Sequence, residues 1–432
     1  MPATPQEVTS SEGLIRAIGR WSLVALTINC ILGSGIFGLP SKIAASLGKL
    51  SPLAVLLAGV AMAVIIACYA EVASQFTQTG GTYIYCRAAF GRFTGLQVGW
   101  MMMLTRLTAC AANANLLVIY LGEFWPQATQ PLPRLTIVTV LLGVLLLVNY
   151  RGVRDGTLVS NVFVAAKLLP LAIVILAGGY YLATHAATTL PAPHTSFSGW
   201  RDSLLLLFFA YGGYEAAMNP MGEARNPKQD APFALFVALA IITIIYTLIQ
   251  WVVVGVLPPS LHTDRPLAEA ARIILGRGGA SLVALGAIVS VYGYLSANFL
   301  TAPRATFAFA EQGDFPGWFA AVHRKFRTPH ISIVIFAALC WILALAGSFT
   351  WNVTLSAVSR LFYYGAVCAA VPVLRRKQSE TAWLRLPAGS GIATLGVLIC
   401  LILLTGADFS KSLVLLATVV VALLNYLAVR RS

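Results

Sequence analysis

Residues 21–48 read WSLVALTINCILGSGIFGLPSKIAASLG. Lys42 is the one charge in this stretch, and the run is long enough for a helix to cross a bilayer, which takes about 20 residues. At its centre stand Gly33-Ser34-Gly35, with Gly38 and Pro40 behind them. In a helix interior glycine costs about 1 kcal/mol and proline about 3 kcal/mol. The helix is therefore expected to break midway. A break bares N–H and C=O groups that lipid cannot satisfy, so it survives only where the backbone faces a cavity or a ligand. Residues 204–227, LLLLFFAYGGYEAAMNPMGEARNP, repeat the pattern, with Gly212-Gly213 central and Pro220 beyond.

The composition around these stretches agrees with a membrane setting. Of 432 residues, 58% are hydrophobic and 10% charged, and mean hydropathy is +0.81. Soluble domains carry about 25% charged residues. A water-soluble domain, a disordered chain, a coiled coil and a disulfide scaffold are excluded. The apolar runs are continuous and do not alternate, which excludes a strand barrel. An all-α integral membrane protein remains, with about twelve transmembrane helices near 19–47, 51–76, 93–121, 134–150, 156–184, 199–221, 231–257, 279–305, 330–348, 352–374, 387–406 and 410–429.

The net charge of +14 would point to nucleic acid in a soluble protein. Here the cations sit mostly in short loops, so topology is their cause and no nucleic-acid partner is expected. Eighteen Lys/Arg fall on the N-terminal side and eight on the other, while Arg106, Lys167 and Arg360 lie within spans. That asymmetry places both termini in the cytoplasm. Residues 1–18 form a short tail without a signal peptide, and the polar stretch 258–278 holds a possible surface helix at LAEAARIIL. The whole of 1–432 reads as one transmembrane domain. Cys30, Cys68, Cys86, Cys110, Cys340, Cys368 and Cys400 read as free, mostly buried thiols. His185, His194, His262, His323 and His330 lie in or near loops, so neither a metal nor a cofactor is expected.

The two glycine-centred spans are five apart. Paired interruptions at matching positions of two halves point to an inverted repeat with its site at the midplane. The plainer alternative is close helix packing at glycines; the pairing favours the site. Such a pair suits a zwitterion. N–H donors at Ser34 and Gly35 take a carboxylate, and carbonyls at Ile31, Phe209 and Gly212 take an ammonium.

The motifs GSGIFGLP (33–40), YAEVASQFTQTGGTYIYCRAAFG (69–91), NVFVAAKLLPL (161–171) and FAYGGYEAAMNPMGEARNPKQDAP (209–232) resemble those of the amino acid–polyamine–organocation superfamily of permeases. The resemblance covers nearly the whole chain. It implies a five-plus-five inverted-repeat core over 19–184 and 199–374, accessory spans over 387–429, and transport of amino acids by alternating access. It further implies that Gly33, Ser34 and Gly35 bind the substrate carboxylate, that Ile31 offers its carbonyl, and that Phe209 packs over the substrate beside Tyr211, Gly212 and Gly213. Lys167 matches a lysine of sodium-independent members that stands in for a sodium ion. Light-chain members join a partner glycoprotein through a cysteine in the loop after span 3. The loop here, GEFWPQATQPLPR (122–134), has none, so no disulfide-linked heavy chain is expected.

A charge at mid-membrane costs about 2.5–3.5 kcal/mol on insertion scales. Lys167 is the first functional candidate, as a replacement for a coupling cation or as a proton carrier; a fixed clip between helices is the plainer role. Glu215 could hold a cation or a proton, or accept from freed amides at the second break. Arg106 and Arg360 cannot lose their protons and read as structural clamps or gating pairs. Glu71 reads as an interfacial structural group. Asn113, Asn115, Ser290 and Tyr292 read as helix bridges.

The expected function is sodium-independent secondary transport of an amino acid, coupled to protons or run as exchange. A neutral substrate is preferred because no acidic cluster lines the breaks. Basic amino acid or polyamine exchange is the runner-up, and a non-transporting membrane sensor is a competitor. An enzyme would need a nucleophile, base or metal cluster at membrane depth, and none is visible. A prokaryotic inner membrane is the expected location, and the oligomeric state is open.

Overall fold

The computed structural model describes residues 18–76, 80–152, 157–185, 196–219, 221–258, 263–377 and 382–430, with backbone alone at 157–166, 222 and 430. Pro220, His194, His262 and the tail 1–17 lie outside the described residues. The described chain is helical. Its elements are α1 (Arg20–Ile31), α2 (Ser34–Gly38), α3 (Pro40–Leu47), α4 (Ser51–Ala73), α5 (Gly81–Phe90), α6 (Arg92–Leu121), α7 (Pro131–Arg151) and α8 (Thr157–Thr184). They continue with α9 (Phe197–Tyr211), α10 (Tyr214–Ala217), α11 (Pro227–Val256), α12 (Pro266–Glu311), α13 (His330–Ala346), α14 (Phe349–Lys377), α15 (Gly389–Leu404) and α16 (Phe409–Arg430).

Local sequence sets these limits. Proline occupies the first turn of α3, α4, α7, α11 and α12, where its missing N–H costs nothing. Gly91 and Gly152, at φ +89° and +92°, turn the chain out of α5 and α7. At Gly276, with φ +74°, α12 bends sharply, which sets off residues 266–275 as a helical segment of their own where LAEAARIIL led the sequence to expect a helix. Nine helical stretches among the described residues are long and apolar enough to cross a membrane, and α13 and α15 are shorter apolar helices. The residues 81–90 that close the span 2 motif form a helix of their own, α5.

The core sits around α6, which is buried nearly all round and packs on α12, α13, α14 and α5. α4 and α1 pack on α11, and α8 packs on α12. By contrast α7 and α16 turn apolar side chains such as Leu132, Leu147, Leu416 and Leu424 outward, as a lipid-facing helix must. The seven cysteines are free.

Ion pairs tie the helix ends together. On the side where α1 begins, Asp314 is fully buried and takes Arg87 at 2.7 Å, Arg92 at 2.6 Å and the hydroxyl of Tyr83. Glu71, near the end of α4, is fully buried and serves a structural ion pair. The fork of Arg375 holds it at 2.5 and 2.7 Å, and the N–H of Leu386 donates to it at 3.0 Å. On the far side Arg272 and Arg265 meet Glu123 at 2.5 and 3.3 Å.

Removing a buried acceptor strands its partners, whereas an exposed pair adds little. Asp314→Asn should lower stability in detergent by about 2 kcal/mol, below the figure for fully buried pairs because both arginines are partly exposed. Asp264→Asn, which removes the exposed contact to Lys42, should leave the melting midpoint unchanged. Equal effects of the two variants on the melting curve would contradict this account of the fold.

Candidate substrate site

Both glycine-centred stretches are interrupted. α1 stops at Ile31, Leu32 and Gly33 are non-helical, and α2 restarts at Ser34. α9 stops at Tyr211, Gly212 is extended, Gly213 turns at φ +118°, and α10 restarts at Tyr214. The two breaks pack against each other. A Cβ on Gly35 would stand 2.7 Å from the Cα of Ala210, and one on Gly213 would stand 2.3 Å from the carbonyl oxygen of Cys30. Close packing and helix interruption are therefore both present: Gly35 packs, and Gly213 both turns the chain and packs. Gly33 is under no such pressure, since its added Cβ would meet nothing nearer than the Tyr294 ring at 3.6 Å.

The first N–H groups of α2 have no preceding turn to bond to. Beside them the hydroxyl of Ser34 is fully buried and has no hydrogen-bond partner among the described residues. This end of the break is a donor set short of an acceptor, which is what a carboxylate supplies.

The other end is already occupied. The ammonium of Lys167, on α8, donates to the Asn29 carbonyl at 3.2 Å, the Asn29 side-chain oxygen at 2.8 Å and the Leu32 carbonyl at 3.0 Å. It satisfies carbonyls that the end of α1 leaves open. The Ile31 carbonyl accepts, at 3.4 Å, from Tyr246, whose hydroxyl also donates to the Ala210 carbonyl at 3.1 Å.

At the second break Glu215 accepts from the N–H of Gly213 at 2.9 Å, from Tyr363 at 2.8 Å and from Tyr364 at 3.0 Å, and pairs with Arg360 at 3.1 Å. Arg360 also donates to the Phe209 carbonyl at 3.3 Å and lies 5.9 Å from the Phe209 ring centroid. Its guanidinium fills the space that a Cβ on Gly212 would need. Glu215 thus caps a bared amide and forms a clamp with Arg360, and α14 is bound to the break through both.

A cavity of about 600 Å³ adjoins the breaks, within the usual range for small-molecule sites. Lys167, Gly213, Glu215, Arg360 and Arg106 line it, with Asn29 and Cys30 of α1 and Tyr294 of α12. Its lining runs from Leu26, Asn29 and Cys30, in the second half of α1, to Tyr83, Phe309 and Gln312. Toward the far side the path is packed: Tyr120 donates to the Phe37 carbonyl at 2.8 Å, and Gly38 lies against the ring of Phe349. Ile31, Ser34, Gly35, Phe209, Tyr211 and Gly212 stand behind this lining. Tyr211 donates to the Val55 carbonyl at 3.0 Å and so anchors α9 to α4. Asn115 bridges to the Gly347 carbonyl at 3.1 Å, while Asn113 bonds within its own helix.

Sequence reasoning passed over Tyr294, Tyr363 and Tyr364. The tyrosine pair directly follows the intramembrane Arg360 by three and four residues, one helical turn, and that spacing was the available signal. Arg106 is no clamp: it makes no ion pair or hydrogen bond among the described residues.

A sequence profile described as amino acid permease matches residues 18–424. The chain is 28% identical to the methylthioribose transporter of Bacillus subtilis, over 91% of this chain and 88% of that protein. It is 29% identical to the serine/threonine exchanger SteT of the same organism, over 85% of each. It is also 26% identical to the branched-chain amino acid permease BcaP of Bacillus subtilis, over 97% and 94%.

The glycine contacts separate fold from site. Gly35→Ala and Gly213→Ala overpack the crossing and should lower stability by about 1–3 kcal/mol. Gly33→Ala should keep the wild-type melting midpoint. A Gly33→Ala protein that melts as early as Gly35→Ala would refute the assignment of these roles.

Proposed function

The chain belongs to the amino acid permease family, and on that premise we propose that it is a sodium-independent secondary transporter of L-amino acids working by alternating access. The observation that carries this reading is the Lys167 ammonium, held at 2.8–3.2 Å by oxygens of Asn29 and Leu32 beside the first break. A cation bound there covalently leaves a soluble sodium ion neither a charge deficit nor free carbonyls to fill. The neighbouring N–H groups and the buried Ser34 hydroxyl then receive the substrate carboxylate, and the second break with Phe209 covers its ammonium end.

The lopsided cavity supports alternating access. With the Lys/Arg-rich loops cytoplasmic, the hollow faces inward and the packing of Phe37, Tyr120 and Phe349 closes the outer path. Opening the outer path requires α1–α2 and α9–α10 to move against α6 and α14, and the Glu215–Arg360 pair is the joint between those groups. In this reading α1–α8 and α9–α14 are the two inverted repeats, α15 and α16 are accessory, and the protein resides in a bacterial plasma membrane. Exchange and proton symport both fit this geometry. The substrates named for the relatives differ among themselves, so the side chain has to be read from the cavity. The one carboxylate at the breaks, Glu215, is already paired with Arg360, and the lack of any further acidic cluster there, which led the sequence to a neutral substrate, argues against a cationic side chain.

Uptake into proteoliposomes tests the assignment. Counterflow of a labelled amino acid should proceed equally in sodium and choline buffers, and Lys167→Ala should cut it at least about tenfold, the factor that about 1.4 kcal/mol represents. A strict sodium requirement, or wild-type transport by Lys167→Ala, would overturn the role given to this lysine.

A further inference from the structure

The cavity holds more positive charge than its own side chains neutralise. Four cations line it, Arg106, Lys167, Arg304 and Arg360, against the single carboxylate of Glu215. Glu215 is spent on Arg360. Lys167 is solvated by neutral oxygens of Asn29 and Leu32. Arg304 is half-buried on the cavity lining and donates to the carbonyl of Leu300 on its own helix.

Arg106 has no such arrangement. It stands midway along α6, half-buried and facing the hollow, with no ion pair or hydrogen bond among the described residues. It lies within electrostatic reach of Cys30 and Tyr294, which flank the first break. A guanidinium cannot shed its proton in a protein, so this site cannot become neutral when empty. An intramembrane charge of this kind marks a substrate path, and what it lacks is an anion.

We propose that Arg106 determines side-chain specificity and that the transported molecule is an L-amino acid with a second carboxylate on its side chain. The proposal rests on the amino acid transport reading and names its substrate class. The backbone at the breaks takes the groups that every amino acid shares. Arg106 offers a planar fork for the distal carboxylate, the geometry in which arginine binds that group best. Arg304 lies along the way in, where its field attracts an acidic substrate and repels a basic one. A lysine or polyamine substrate would meet three uncompensated cations and no free carboxylate. A neutral side chain would leave Arg106 without a counter-charge.

Counterflow in proteoliposomes, loaded in turn with glutamate, aspartate, glutamine, asparagine, serine, leucine and lysine, tests this. The acidic pair should exceed their amides by about tenfold or more, as expected when a charged partner is left unmatched. Arg106→Gln should lower the glutamate-to-glutamine ratio by about the same factor, and Arg106→Lys should keep the acidic preference with a raised KM. Each variant is assayed only after it elutes as a single folded species. If Arg106→Gln does not fold, the wild-type profile and Arg106→Lys decide. Wild-type transport of glutamine or serine that excludes glutamate overturns this proposal and leaves amino acid transport standing. An unchanged ratio in Arg106→Gln overturns the role of Arg106. Counterflow with none of the seven overturns both readings.

Discussion

A peptide group bared inside a bilayer must find its partner within the protein, and that single requirement organises this molecule. Two helices stop and restart at mid-depth, at Leu32-Gly33 and Gly212-Gly213. Each open N–H and C=O there costs several kcal/mol in hydrocarbon unless it is met. Several charged and hydroxyl-bearing side chains at membrane depth answer this demand. Lys167 meets the carbonyls at the end of α1, Glu215 meets the amide of Gly213, Tyr246 joins Ile31 to Ala210, and Arg360 meets the carbonyl of Phe209. At the start of α2, the hydroxyl of Ser34 stays buried without a partner among the described residues, and the proposed function gives this donor end to the substrate.

This division makes the two breaks unequal. The first is finished on its carbonyl side and open on its donor side. The second is held by an ion pair and two tyrosines, so it behaves as a joint between α9–α10 and α14. Burying the Glu215–Arg360 pair is costly, and such pairs add little net stability. Its value is positional, because it sets where α14 stands relative to the break. A movement that opens the packed far side has to carry or loosen this joint, while Lys167 keeps α8 attached to α1.

Much of this was legible in the sequence because the bilayer makes each signal local. Continuous apolar runs mark helices, and glycine clusters at their centres mark interruptions. Lys167 and Glu215 stood out as charges where charge is expensive. The partners were not legible. Glu215 and Arg360 lie far apart in the chain, and their meeting depends on how α14 is rotated against α9, which periodicity does not encode. The same holds for Glu71, whose burial under Arg375 depends on the loop before α15 folding back. Glycine was ambiguous for a physical reason: Gly35 serves packing, Gly213 serves a left-handed turn and close approach, and Gly33 serves neither. Composition alone could not tell these apart. The cavity itself was invisible, since Tyr294 and the rest of its α12 wall look in sequence like any apolar helix with a few polar residues.

The central claim is that a small dipolar substrate lies between the two interruptions, with its carboxylate on the N–H groups at the start of α2. A cryo-electron microscopy structure of the protein saturated with an amino acid that it transports tests this most directly. The account predicts ligand density against Ser34 and Gly35, bounded by Gly213 and Phe209, with Lys167 still on the α1 carbonyls. Density confined to the hollow, with residues 33–35 untouched, would contradict it.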